Sequence, residues 1–251
     1  MKFRLQAFGL HLAGSAIALT LVLGVLWIGW YRWPGWYLAG VLHVVGIVVA
    51  VDLVLGPTLT LIVANPGKRR TELARDIAII VAVQLVALGY GGVTLWSGRP
   101  LYYTFSVDRL ELVQASDLAA DDIRAGRRDR PQLAPWWNST PRWIWAPLPD
   151  DPQEAQKIAT ASIFGGTDVI QMPRYFRPWN EGLVELRKHL GKLADSRYFS
   201  PAEKRTLASR IGARGLPADA ANTMIMWGGN RRVLAVFDPE TLEIRALLRP
   251  D

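Results

Sequence analysis

The run Val51-Asp52-Leu53-Val54-Leu55-Gly56-Pro57-Thr58-Leu59-Thr60-Leu61 sets one carboxylate inside an apolar stretch and follows it with a Gly-Pro pair. The stretch reads as part of a membrane-spanning helix. A carboxylate at the centre of such a helix costs about 3 kcal/mol on insertion scales, so it turns to the protein interior or to a polar cavity. Asn65-Pro66-Gly67-Lys68-Arg69-Arg70 then supplies a turn and a cationic exit. Two further apolar runs flank this one. Spans are expected over residues 8–30, 36–63 and 77–96, each near the roughly 20 residues a bilayer requires.

Orientation follows from cations in short loops. Lys2 and Arg4 precede the first span, Arg32 alone marks the first loop, and Lys68, Arg69, Arg70 and Arg75 gather at the second. The N-terminus and second loop are therefore expected in the cytoplasm, and everything after Trp96 outside. The triplet Leu12-Ala13-Gly14 comes too early in the first run for cleavage, so an uncleaved anchor is expected rather than a signal peptide. Trp27, Trp30, Tyr31, Trp33, Trp36 and Tyr37 crowd the first loop, as rings do at a membrane–water interface.

Composition breaks near residue 98. Beyond it, charges and prolines are frequent, and residues 99–251 suffice for one domain. The net charge of +7 does not point to nucleic acid. Residues 1–98 carry seven Lys/Arg against three Asp/Glu, an excess that membrane topology explains, and the 22 Lys/Arg of the remainder are spread among 19 Asp/Glu. The absence of cysteine excludes disulfides, thiol catalysis and Cys-based zinc sites.

The expected fold is thus three transmembrane helices over residues 1–98, followed by an α+β extracytoplasmic domain over 99–251. In the second part, strands are expected at 101–107 and 110–113. Helices are expected from Ser116 or Asp117 to about Ala125, from Asp150 to about Phe164, from Asn180 to about Leu193, and from Ser200 to near Gly212. Arg124 to Pro131 reads as an exposed connection. Residues 223–227, 233–237 and 243–248, joined by Gly228-Gly229-Asn230 and Asp238-Pro239-Glu240, form a C-terminal antiparallel meander.

Chemistry-bearing patterns are few. There is no phosphate-binding glycine loop, no zinc-protease helix and no serine-hydrolase elbow. His189 is the one histidine after residue 98, which excludes a His-rich metal site there. No catalytic residue, metal or cofactor is assigned. Within the spans, His43 and Asp52 lie nine residues apart, about half a turn around the helix, so they do not share a face. His11 approaches them only if the helices bring it there. Three roles stay open for Asp52: fixing helix packing, touching a client helix, or moving a proton. Gly56-Pro57 is expected to kink the second span and permit close helix approach. Trp136 and Trp137 lie in a proline-bounded loop, as part of a local aromatic core or as a recognition surface.

Val51 to Pro57 with Leu59-Thr60-Leu61, then Asn65-Pro66-Gly67-Lys68, Asp76-Ile77-Ala78, Gln84-Leu85, Gly98-Arg99-Pro100-Leu101-Tyr102 and Phe105 to Glu111 together resemble the TfpX/TfpZ family of type IV pilin accessory proteins. The resemblance is clearest over residues 1–115. It implies a non-catalytic, chaperone-like protein of the bacterial inner membrane. Such a protein would accompany a cognate type IV pilin, major or minor, and aid pilus assembly or dynamics, with the C-terminal domain in the periplasm. Pilins themselves hold a hydrophobic helix in the bilayer and a globular head outside. On this basis Asp52, Gly56 and Pro57 are expected to shape an intramembrane face toward the client. Gly98, Arg99, Pro100, Asp108 and Arg109 would fix the junction of the third helix with the soluble domain. Expected partners are the pilin and membrane lipid, without nucleic acid. Two other classes remain open, a membrane enzyme acting on pilin or an envelope substrate and a proton-coupled transport component.

Overall fold

The computed structural model describes residues 1–251. The chain forms two compact units: Met1–Arg32 with Val41–Gly98, and Trp33–Gly40 with Arg99–Asp251. A single cut after residue 98 therefore leaves out the segment Trp33–Gly40, which folds with the second unit.

The first unit holds three helices long and apolar enough to cross a membrane, Lys2–Gly29, Leu42–Val63 and Arg70–Ser97. A helix closes its own backbone hydrogen bonds, which hydrocarbon demands of any spanning segment. The second span begins at Leu42 rather than Trp36. Residues Gly35–Leu38 make a separate short helix, and Gly40, at φ +69°, breaks the chain before the span starts. The third helix extends back to Arg70, beyond the apolar run, with a polar and charged first turn. Tyr31 donates its hydroxyl to the Leu95 carbonyl at 2.6 Å. Trp30 meets Trp96 edge-on at 5.0 Å. The aromatic cluster thus joins the first and third helices.

The second unit is a seven-stranded mixed sheet with helices around it. Its strands are β1 (Pro100–Ser106), β2 (Arg109–Gln114), β3 (Arg142–Trp145), β4 (Arg177–Pro178), β5 (Thr223–Gly228), β6 (Arg231–Phe237) and β7 (Ile244–Leu248), in the order β4-β3-β1-β2-β5-β6-β7. Strand β1 is buried along its whole length. Tyr103 and Phe105 enter the core shared with Leu110, Leu186 and Met226, and Tyr102 faces the other way, toward Ile144 and Phe176. This is the alternation a strand covered on both faces requires. The pair β1–β2 is antiparallel, β1–β3 and β2–β5 are parallel, and β5-β6-β7 form the expected antiparallel meander.

Two helices start where their caps predict. Asp151 accepts the Gln153 N–H before the helix Pro152–Ile163, and Ser200 and Glu203 form a reciprocal capping box at Pro201–Gly212. Two others differ from expectation. Asp117 accepts the Gln114 N–H and closes a single turn, after which the helix Ala120–Asp129 runs through the supposed connection. Gly126 holds that helix down, because a β-carbon there would lie 2.5 Å from Pro173. The helix expected from Asn180 to Leu193 ends at His189, since Gly191 turns to pair with Thr223 at the sheet.

Trp33–Gly40 is built into this unit. Leu38 is 2% exposed and lies in the same core as Tyr103 and Met226. A β-carbon on Gly228 would sit 2.5 Å from it, so glycine there makes room for the segment. Arg231 donates to the Tyr37 carbonyl at 3.1 Å, and Trp33 Nε1 donates to the Leu247 carbonyl at 3.1 Å on the outer strand of the meander. Leu38→Ala is expected to destabilise this unit by about 2–4 kcal/mol through the cavity it leaves, read as a lowered denaturation midpoint of the full chain in detergent. Burial pushes the Tyr103 phenol up to about 12. An acid whose folded pKa is raised adds stability below its unfolded value, near 10, and loses it as pH rises toward the folded value. Denaturation midpoints should therefore fall between about pH 10 and 12, and less steeply in Tyr103→Phe.

Candidate functional site

Asp52, Gly56 and Thr60 recur every four residues on the second membrane helix and so lie on one face of it. All three are buried, Asp52 at 4% exposure. The backbone of this face is not a regular α-helix. Residues Ala50–Leu55 form a wider π-helical turn, in which Gly56 N–H bonds to the Val51 carbonyl, five residues back. In that register the donor for the Asp52 carbonyl falls at residue 57, which is proline and has no N–H. The expected kink at Gly56-Pro57 thus takes the form of a widened turn that frees one carbonyl.

A side chain from the third helix supplies the missing donor. Gln84 Nε2 bonds to the Asp52 carbonyl at 3.0 Å and approaches Ser15 Oγ at 3.4 Å. Gln84 Oε1 then faces His11 Nε2 at 2.6 Å, and His11 Nδ1 faces Thr60 Oγ1 at 2.5 Å. The chemistry fixes the direction of these bonds. An amide oxygen only accepts, so His11 carries a proton on Nε2 facing Gln84 Oε1, while Nδ1 and the Thr60 hydroxyl share the second bond. Four polar side chains and one backbone carbonyl from three helices are thereby brought together. A β-carbon on Gly56 would sit 2.1 Å from Gln84 Nε2, so glycine is what lets Gln84 reach its place.

One polar atom of this cluster stays unmatched. Asp52 Oδ1 is buried with no hydrogen-bond partner. Its residue, with Thr60, lines a cavity of about 400 Å³. Ala7, Leu10, His11, Gly14, Ser15 and Ala18 of the first helix form one wall, and Ile77, Val81, Gln84, Leu85 and Leu88 of the third form the other. His43 takes no part, as its half-turn offset from Asp52 requires.

The remaining candidates are scattered. Gly98 ends the third helix, and Pro100 opens β1. Arg99 is buried and donates to the Trp137 carbonyl at 3.5 Å. Asp108 lies in the turn at the other end of β1 and Arg109 opens β2, so neither is beside residues 98–100. Arg109 bonds Glu111 at 2.9 Å and Asp168 at 2.8 Å, and with Asp108 lines a polar cleft of about 570 Å³ that includes His189, Lys192 and Arg197. Trp136 and Trp137 are 53% and 71% exposed, with the Arg127 guanidinium 4.4 Å above the Trp136 ring. They are surface rings, and the core role falls to Trp143, Trp145 and Trp179.

Sequence reasoning named Asp52, Gly56 and Pro57 but assigned no role to Gln84, Thr60 or Ser15, and left His11 open. Two signals pointed to them: the four-residue spacing of Asp52, Gly56 and Thr60, and the presence of an amide and an imidazole in otherwise apolar runs.

These features define a three-span membrane protein with a polar cluster inside its helical bundle and a mixed α+β domain. The chain is similar to proteins called fimbrial assembly proteins of Dichelobacter nodosus. It is 27% identical to that of serogroup I over 197 residues, covering 77% of this chain and 74% of the relative. It is 26% identical to that of serogroup E1 over the same shares, and 28% identical to that of serogroups C1 and C2 over 121 residues, covering 48% of this chain and 92% of the relative. No family model matches the chain, and no solved structure matches it.

Gly56→Ala should push Gln84 aside and open its bonds to Asp52, His11 and Ser15, lowering stability by about 1–3 kcal/mol. Gly24→Ala meets nothing within 4 Å and should be neutral. Detergent-denaturation curves of the two variants make the comparison.

Proposed function

We propose that this chain is a non-catalytic accessory protein of the bacterial inner membrane that binds a cognate type IV pilin and aids its assembly into pili. The observation that carries this reading is the similarity, across about three quarters of the chain, to proteins named for fimbrial assembly. The residues that resemble the pilin accessory family include the polar cluster itself, through Asp52, Gly56, Pro57, Thr60 and Gln84.

The physical requirements of the role fit the molecule. A pilin waiting in the membrane presents a hydrophobic helix to the bilayer and a head outside it. An accessory protein with a laterally accessible groove in its bundle and a folded domain in the head's compartment meets both parts. The cation distribution favours a cytoplasmic N-terminus and second loop. The first loop and the residues after Gly98 share one folded unit, which supports placing both on the same side, the periplasm in this reading. Trp136 and Trp137, exposed on that unit, are suited to contact a client, because aromatic rings give large contact areas at little entropic cost.

Loss of this protein should leave pilin synthesised but surface pili strongly reduced, with restoration by the full-length chain. Unchanged surface pili on immunoblots of sheared fractions would refute the role. Topology is tested cleanly because the chain has no cysteine. Trp137→Cys should react with an impermeant maleimide in outer-membrane-permeabilised cells, and Gly67→Cys only after the inner membrane is opened. The reverse pattern would overturn the orientation.

A further inference from the structure

The geometry points to a binding site in the membrane groove for an apolar helix that carries a hydrogen-bond donor near the middle of its span. This inference rests on the pilin-accessory reading and names how the client is held: the pilin's membrane helix lies between the first and third helices and donates to Asp52 Oδ1.

Three observations select that occupant. The first is the unmatched acceptor. Gln84, His11, Thr60 and Ser15 each make a bond within the cluster, whereas Asp52 Oδ1 is buried without a partner and its residue lines the groove. A buried unpaired acceptor is destabilising, and a donor arriving with a ligand relieves it.

The second is depth. Asp52 sits near the midpoint of the span Leu42–Val63. Lipid tails at that depth carry no donor, and lipid headgroups lie at the bilayer surface. A lipid filling the groove therefore leaves Oδ1 unmatched, whereas a helix can place a hydroxyl, amide or cationic side chain there.

The third is shape. The walls run along the first helix from Ala7 to Ala18 and along the third from Ile77 to Leu88, about 16 Å at the rise of an α-helix. Beside Leu10 and His11, the wall of the first helix is made of Ala7, Gly14, Ser15 and Ala18. Gly14 has open space where a β-carbon would stand. Small residues on one face let a second backbone come close. A cavity of about 400 Å³ is too small for an entire helix but accepts the side chains of a helix resting along it.

The cluster has a further consequence for specificity. Gln84, His11 and Thr60 satisfy one another, so they hold the groove open without competing for the client's donor. A client helix with only apolar side chains at that depth gains packing but leaves Asp52 unmatched. The site thus discriminates by one hydrogen bond, about tenfold in occupancy.

The test is site-specific photocrosslinking of the full-length chain in cells making pilin. A benzophenone side chain is placed at Leu85 in the groove, at Ile79 on an exposed face outside it, or at Trp137 on the soluble unit. The expected result is a pilin adduct, identified by mass, about tenfold stronger from Leu85 than from Ile79. Asp52→Leu should lower the Leu85 adduct by about tenfold, and Asp52→Asn should restore it, because the amide oxygen still accepts. The Asn variant also separates this role from proton transfer, which it cannot perform. Should Asp52→Leu fail to accumulate, replacing the polar residues of the pilin's own membrane helix by Leu, one at a time, must reproduce the loss. A Leu85 adduct with lipid or with a second copy of this chain overturns the inference, as does a pilin adduct indifferent to Asp52→Leu. A pilin adduct from Trp137 without one from Leu85 overturns the groove and leaves the accessory reading standing. No pilin adduct from either position overturns both.

Discussion

A single backbone carbonyl organises the membrane unit. Hydrocarbon offers no donor to an exposed peptide group, so each one must be satisfied within the protein. Pro57 withholds the N–H that the widened turn before it calls for, and the Asp52 carbonyl is left to find another. Gln84 provides it at 3.0 Å, which fixes the third helix against the second. Gly56 must lack a side chain for Gln84 to fit, and the other end of Gln84 then calls for a proton on His11 Nε2, whose ring bonds Thr60 on its far side. The register of all three helices follows from one missing hydrogen.

The same network explains how a carboxylate is carried at the centre of a bilayer. Its immediate surroundings are hydrogen-bonded to one another, and the acid is buried at a cavity between the helices. A proton path would need titratable groups in sequence. Gln84 bonds an imidazole, a hydroxyl and a backbone carbonyl, and Thr60 bonds the same imidazole, which leaves Asp52 Oδ1 over.

The segment Trp33–Gly40 belongs to the fold of the second unit, through Leu38 in its core and Tyr37 and Trp33 in its hydrogen bonds. Trp33 bonds a carbonyl of the outermost strand of the meander, where an open edge would otherwise invite pairing with another chain. The aromatic residues of this loop divide their work accordingly. Trp30 and Tyr31 join membrane helices, and those from Trp33 onward build the soluble fold.

The sequence by itself determined the number of spans, their approximate ends, the caps at Asp151 and Ser200, and the C-terminal meander. Each depends on local patterns: apolar runs of bilayer length, side chains that bond the nearest backbone, and β-branched strands joined by tight turns. It also singled out Asp52, Gly56 and Pro57, because an acid and a Gly-Pro pair break an apolar run. Only the tertiary structure decided what they do. Gln84, which bonds the Asp52 carbonyl, lies 32 residues away in sequence, and His11, which bonds Gln84, lies 73 residues from Gln84; no periodicity links them. It likewise moved Trp36 and Tyr37 from a supposed membrane interface into a folded domain, took Asp108 and Arg109 to the far end of β1, and left Trp136 and Trp137 on the surface. Those outcomes depend on which distant surfaces meet, and burial of an aromatic residue satisfies the same hydrophobic drive in a bilayer, a loop or a sheet.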